Sequence, residues 1–123
     1  MNLNKIMVVC ALALGGLAVG CGDKCKSLCD DDKKCADASD ATKNRDCTKS
    51  CDDLDKVSDA GGCGSQKSDW LDCADGVKDK CSTTDMSCND KATALFTCIT
   101  TYCLAHPDDS TCKSYEADTS GSP

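Results

Sequence analysis

The stretches "CKSLC" (Cys25–Cys29) and "CTKSC" (Cys47–Cys51) decide the fold. Each places two cysteines one helical turn apart on a single face. Two such helices packed antiparallel can be joined by two nested rungs, Cys25–Cys51 and Cys29–Cys47. Further along, Cys63-x9-Cys73 and Cys88-x9-Cys98 repeat the device at a wider separation, which points to Cys63–Cys98 and Cys73–Cys88. In an up-down-up-down bundle, Cys35 and Cys81 lie at the same end and can join the two hairpins. Cys103–Cys112 would then pin the chain around "HPDDS". A rival for the second hairpin is Cys73–Cys98 with Cys81–Cys88, which strands Cys35. Spacing alone does not select one connectivity.

The pattern between these cysteines is helical, with few β-branched runs and no sustained alternation. We expect four helical segments, at roughly 23–34, 40–57, 65–80 and 89–105. Cys25, Leu28 and Cys29 share a face of the first, and Cys47, Cys51 and Leu54 a face of the second. Ser39 or Asp40 can cap the second segment. "DAGGCG" (Asp59–Gly64) breaks the chain before the third, whose stripe is Trp70, Ala74, Val77 and Cys81. In the fourth, Ser87 and Asp90 stand as a capping box, with Asp for Glu. Its stripe is Ala92, Leu95, Phe96, Ile99, Tyr102 and Cys103, and Pro107 ends it. The fold class is therefore all-α: a small disulfide-stapled helical bundle of two antiparallel helical hairpins over residues 25–112. Residues 113–123 have little to bury and read as a disordered tail.

Upstream lies a short start with one charge, Lys5, followed by an uncharged apolar run, Ile6–Val19. That run is shorter than the roughly 18–20 residues a bilayer-spanning helix needs. Residues 1–20 read as a secretory signal. Its end, "LAVGC" (Leu17–Cys21), resembles a bacterial lipoprotein box, in which small residues precede a cysteine that is lipidated and becomes the mature N-terminus. The resemblance makes Cys21 a lipid carrier, with residues 21–24 as a short tether. Ordinary cleavage nearby would instead leave Cys21 among the disulfide thiols. The chain has 14 cysteines; Cys10 leaves with the leader, which leaves 13, an odd number. Reserving Cys21 for lipid leaves 12, enough for six bridges. Thiols oxidise outside the cytosol, and small exported domains use disulfides where their core is thin.

The second half resembles the twin Cx9C helical hairpins. The whole order, two Cx3C elements and then two Cx9C elements from Cys25 to Cys98, is similar to that of the uncharacterised cysteine-rich lipoproteins of myxobacteria and related bacteria. The resemblance implies a disulfide-bonded helical domain and carries over no activity.

The 21 acidic residues all follow the leader, against 13 Lys and Arg once Lys5 is removed, so the exported part stands at −8. This balance argues against nucleic acid and against a charge-driven grip on anionic lipid. The aspartates of "CDDDKKC" and "DDLDKVSDAGG" do not make an EF-hand: counting from Asp53, position six is Ser58 and position twelve is Gly64. Zinc or copper through thiolates lacks a Cys-x2-Cys and has only His106 to add. Thioredoxin-like redox chemistry lacks the same motif, and no nucleophile elbow is present for hydrolysis. No cofactor, metal or catalytic residue is expected. The function expected is that of a structural or interaction module at the cell surface, held to the outer membrane by lipid. It would meet a protein or surface-polymer partner through the membrane-distal loops 36–42 and 82–87. A thiol-based metal or redox protein and a small secreted inhibitor or effector are the alternatives.

Overall fold

The computed structural model describes residues 21–82 and 84–120. The expected leader, residues 1–20, lies outside them. The described chain is all helical: α1 (Cys21–Lys34), α2 (Asp40–Lys43), α3 (Cys47–Gly61), α4 (Gly64–Gly76), α5 (Asn89–Ala105) and α6 (Ser110–Ser120). α1 pairs with α3 and α4 with α5, each pair crossed by two nested disulfides. α6 packs on α3, and α1 rests on α4.

The element ends follow from local chemistry. α1 finishes with Lys33 and Lys34, cations at the negative end of its dipole. Ser39 caps α2 by accepting the Thr42 N–H. The second segment was expected to run unbroken from 40 to 57, but it divides. Asn44 stops α2, and Asp46 starts α3 by accepting the Lys49 N–H. An aspartate that can cap a new helix competes with continuing the old one.

α3 runs through Gly61, so the "DAGGCG" break is confined to its second glycine. Gly62 adopts the left-handed region (φ 68°), where glycine has no Cβ to clash. The Gly62 and Cys63 amides donate to Asp59 O and Ser58 O, closing α3 with a Schellman turn. Gly61 has a different reason to be small: a Cβ there would stand 3.1 Å from Cys63 Sγ and from Tyr102 Cβ.

α4 ends at Gly76, short of the expected Lys80. Lys80 instead folds back, and its ammonium donates to Ala74 O and Asp75 O, both at 2.6 Å. The end of a helix leaves its last carbonyls short of amide partners, and here Ala74 O takes the Val77 N–H as well as the Lys80 ammonium. α5 keeps its expected span, but Cys88 rather than Ser87 is its N-cap, with no side-chain cap bond. The Ser87 N–H goes to Asp85, so no capping box forms.

The expected disordered tail needs correction. Residues 113–120 belong to α6, whose first turn is capped by Asp109 accepting the Thr111 N–H at 2.7 Å. Cys112 is buried and bonded to Cys103, and Tyr115 packs against the core. The stretch looked poor in apolar residues, but Tyr115 packs on the core, the Cys103–Cys112 bridge ties the start of the helix to α5, and the helix packs on α3.

Two clusters make up the core. Val57, Cys63, Leu95, Ile99 and Cys112 form one, and Cys25, Cys51 and Leu71 the other, with Leu54 and Trp70 packed against both. Cystine sulfur therefore fills space that aliphatic groups fill in larger domains. The buried face of α4 is Leu71 with Lys67, not the expected stripe of Trp70, Ala74, Val77 and Cys81; Trp70 and Ala74 are half-buried. Lys67 reaches Asp55 on α3 at 2.7 Å, which pairs the charge that burial would otherwise strand.

Candidate functional site

The twelve cysteines from Cys25 to Cys112 are joined as Cys25–Cys51, Cys29–Cys47, Cys35–Cys81, Cys63–Cys98, Cys73–Cys88 and Cys103–Cys112. These are the pairs laid out from spacing; the rival for the second hairpin does not occur. With these sulfurs bonded to one another, the domain from Cys25 to Cys112 offers no thiolate for a metal or for redox exchange. Cys21 opens α1, and its side chain, expected to carry lipid, lies outside the description.

The staples bound a cleft of about 510 Å³ between the two hairpins. Leu28 and Asp32 of α1 form one wall, with Ser50 and Leu54 of α3 and Arg45 just before it. Trp70 and Ala74 of α4 and Ala92, Leu95 and Phe96 of α5 form the other. Val77, Asp79, Lys80, Ser82 and Asp85, from the connection between α4 and α5, edge the opening, and Tyr115 and Asp118 of α6 close the side. On α1 the lining runs from Cys25 to Asp32, on α3 from Ser50 to Leu54 and on α5 from Ala92 to Phe96, while Arg45, α4, the connection after it and α6 supply the rest. The Gly61 end of α3 and the Ala105 end of α5 hold the sealed core instead.

Apolar surface dominates the interior, and charge sits at the edge. Burial pushes the Asp32 carboxyl above its ordinary range, and Arg45 beside it pulls the other way. Asp85 is held below that range by its hydrogen bonds from Ser87. Asp79 accepts the Cys81 N–H at 3.1 Å. The Ser50 hydroxyl, in the α3 wall, is enclosed without a hydrogen-bond partner.

Of the two loops expected to meet a partner, 82–87 contributes Ser82 and Asp85 to the cleft edge. The other, 36–42, gives only its last three residues to α2 and lines none of the cleft, although Cys35–Cys81 ties both loops to the same end. Of the aspartates in the two clusters read for calcium, Asp31 pairs with Lys34, Asp53 with Lys49 and Asp55 with Lys67. Among the described residues no group of three or more His, Cys, Asp or Glu side chains could hold a metal ion.

The reading of the sequence did not single out the cleft itself. Trp70 and Phe96 looked like members of core stripes, yet Phe96 is 61% exposed. The available signal was that α5 carries apolar residues over more than one face: Leu95 and Ile99 point inward, and Phe96 stands beside them toward the cleft.

Comparison of the chain with protein-family models, with curated proteins and with solved structures finds no match. Among the described residues no helix is long and apolar enough to cross a membrane. Six disulfides in so small a domain mark a cysteine-rich extracellular or secreted protein that folds in an oxidising compartment.

Proposed function

We propose that this protein is an exported interaction module, lipid-anchored through Cys21 at the outer membrane or cell surface, that presents its cleft end to a protein or surface-polymer partner. The observation that carries the reading is the covalently braced cleft that runs along the helix Cys21 begins, from Cys25 to Asp32, edged by the α4–α5 connection that Cys35–Cys81 ties to the far end of that helix. α1 has 14 residues and is about 21 Å long at 1.5 Å per residue. A lipid at its start holds the domain near the bilayer, and its far end, with Cys35–Cys81, faces away.

Disulfides suit this task physically. A site whose walls are crosslinked loses little conformational freedom when a partner arrives, so less of the contact energy goes into ordering. The "LAVGC" box and the Cx3C and Cx9C order, with their resemblance to cysteine-rich myxobacterial lipoproteins, support the anchoring half of the reading. We assign the module no catalytic chemistry.

The test is fractionation combined with intact mass. The wild-type chain is expected in the membrane fraction, with an acyl-modified N-terminal cysteine and six bridges released on reduction. Cys21→Ser is expected to move the protein to the soluble exported fraction with its bridges intact. Wild-type protein found free in the medium without acyl groups would replace the anchor by a released effector. Four or more free thiols in unreduced, denatured protein would restore the metal or redox alternative.

A further inference from the structure

The lining of the cleft limits what can occupy it. Its volume, about 510 Å³, lies within the range of small-ligand sites, which are mostly apolar with a few placed polar groups. Six charged groups face it: Asp32, Asp79, Asp85 and Asp118 against Arg45 and Lys80. The two cations are already committed. The Lys80 ammonium is turned onto the last carbonyls of α4, and Arg45 offsets the Asp32 charge. Asp118 is near enough to the Lys49 ammonium to interact with it. Among the described residues, Asp79 and Asp85 accept only from neutral backbone and hydroxyl donors in their own turn and form no ion pair, so their charge stands uncompensated at the opening. The chain as a whole stands at −7. An anion entering here meets a net negative edge, whereas a cation meets carboxylates beside a wall that includes Trp70 and Phe96.

We infer that the cleft binds a small amphiphilic cation: an apolar body seated against Trp70 and Phe96, with an amine or quaternary ammonium directed to Asp79 and Asp85. The inference goes beyond the display function proposed above and rests on it only in taking the cleft end as the recognition end. The apolar body gains by leaving water, and the edge carboxylates set the sign of the charge accepted.

Trp70 is the single tryptophan of the chain and lines the cleft, so its fluorescence reports occupancy. The experiment uses exported, oxidised Cys21→Ser protein, which carries no lipid of its own. It is titrated with dodecyltrimethylammonium, dodecyl maltoside and dodecyl sulfate, each below its micelle concentration, by fluorescence and calorimetry. One-to-one saturation is expected with the ammonium probe, roughly tenfold tighter than with the uncharged one, and no saturation with the sulfate. Ala92→Phe, which fills the cleft without changing charge, is expected to abolish the saturable binding. Phe96→Ser, at an exposed position that leaves folding untouched, is expected to weaken it several-fold. Asp79→Asn combined with Asp85→Asn should erase the preference for ammonium over maltoside. Equal affinity for all three probes overturns the proposal. So does undiminished ammonium binding by both Ala92→Phe and Phe96→Ser, since the cation would then be gathering on the acidic surface at large. If Cys21→Ser leaves the membrane as expected but none of the probes saturates, the anchoring stands and the ligand falls.

Discussion

The two ends of the bundle are made from the same helices and are filled differently. At the closed end Val57, Cys63, Ile99 and Cys112 are sealed from solvent, and Tyr102 and Tyr115 pack around them. At the open end Leu28, Leu54 and Trp70 are only half-buried, Phe96 is exposed, and a cleft lies between the walls. In a bundle held by hydrophobic contact alone, such a gap forfeits packing energy and the helices move together to close it. Here Cys35–Cys81 and Cys73–Cys88 fix the walls near their rims. A crosslink sets the distance between two backbones whether or not the space between them is filled. Covalent staples therefore let one half of a small domain stay open while the other half packs.

The largest effect separates staples from packing. Reducing all six bridges removes on the order of 2–4 kcal/mol apiece, together about 12–24 kcal/mol, as much as or more than the roughly 5–15 kcal/mol by which small domains are stable. Loss of the helical circular-dichroism signal on reduction is the expected result at both ends. A reduced protein that kept its helices would mean that the closed end stands without sulfur.

Next comes a pair of apolar truncations on α5. Ile99 is 1% exposed at the closed end, and Phe96 is 61% exposed at the open end. Ile99→Ala should cost about 2–4 kcal/mol in denaturant unfolding, whereas Phe96→Ala should stay within about 0.5 kcal/mol although it removes the larger side chain. Equal costs would erase the distinction between the two ends.

Two glycines sharpen it further. A Cβ on Gly61 meets Cys63 Sγ and Tyr102 Cβ at 3.1 Å, while one on Gly76 meets nothing within 4 Å. Gly61→Ala should therefore destabilise by about 1–3 kcal/mol, the usual cost of overpacking. Gly76→Ala should stabilise by roughly 0.4–1 kcal/mol by restricting the unfolded chain. Thermal melts of the oxidised proteins would register both signs.

The smallest expected effect is a pH response where α5 turns into α6. Hydrogen bonds from Thr111 and then Tyr102 hold the Asp109 carboxyl at about 2, below its ordinary 3.8. A carboxylate with a lowered folded-state value stabilises the fold above its ordinary range, and that contribution is lost as pH falls through about 2. Acid titration followed by backbone NMR should show the first turn of α6 loosening between about pH 4 and 2. Tyr102→Phe removes one donor and should shift that loosening to higher pH. An unchanged midpoint would mean that the Tyr102–Asp109 bond contributes nothing there.

Much of the architecture was legible because a cysteine's place on a helix depends only on its neighbours in sequence. Cys25 with Cys29, and Cys47 with Cys51, fall on one face in any α-helix, so the nested rungs of the first hairpin followed directly. The span of α5 and the Ser39 cap were legible for the same local reason. The misreadings each turn on a partner remote in sequence or on a competing local bond. α3 restarts at Asp46, and α4 is closed by Lys80 reaching back from four residues past its end. The helix α6 is held by Cys103 and by the face of α3. Of the candidate site, the loop 82–87 was legible, but the aromatic wall was not, because Trp70 and Phe96 sit in stripes that read as core.

The order of the cysteines, with helical periodicity, determined by itself that this is a stapled all-α domain of two hairpins. That information is local: a turn of helix has one pitch, whatever surrounds it. The tertiary structure alone decided which apolar side chains are covered and which are left facing a gap. That choice depends on how far apart the crosslinked backbones stand and on where α6 lies, and no stretch of a single helix records either.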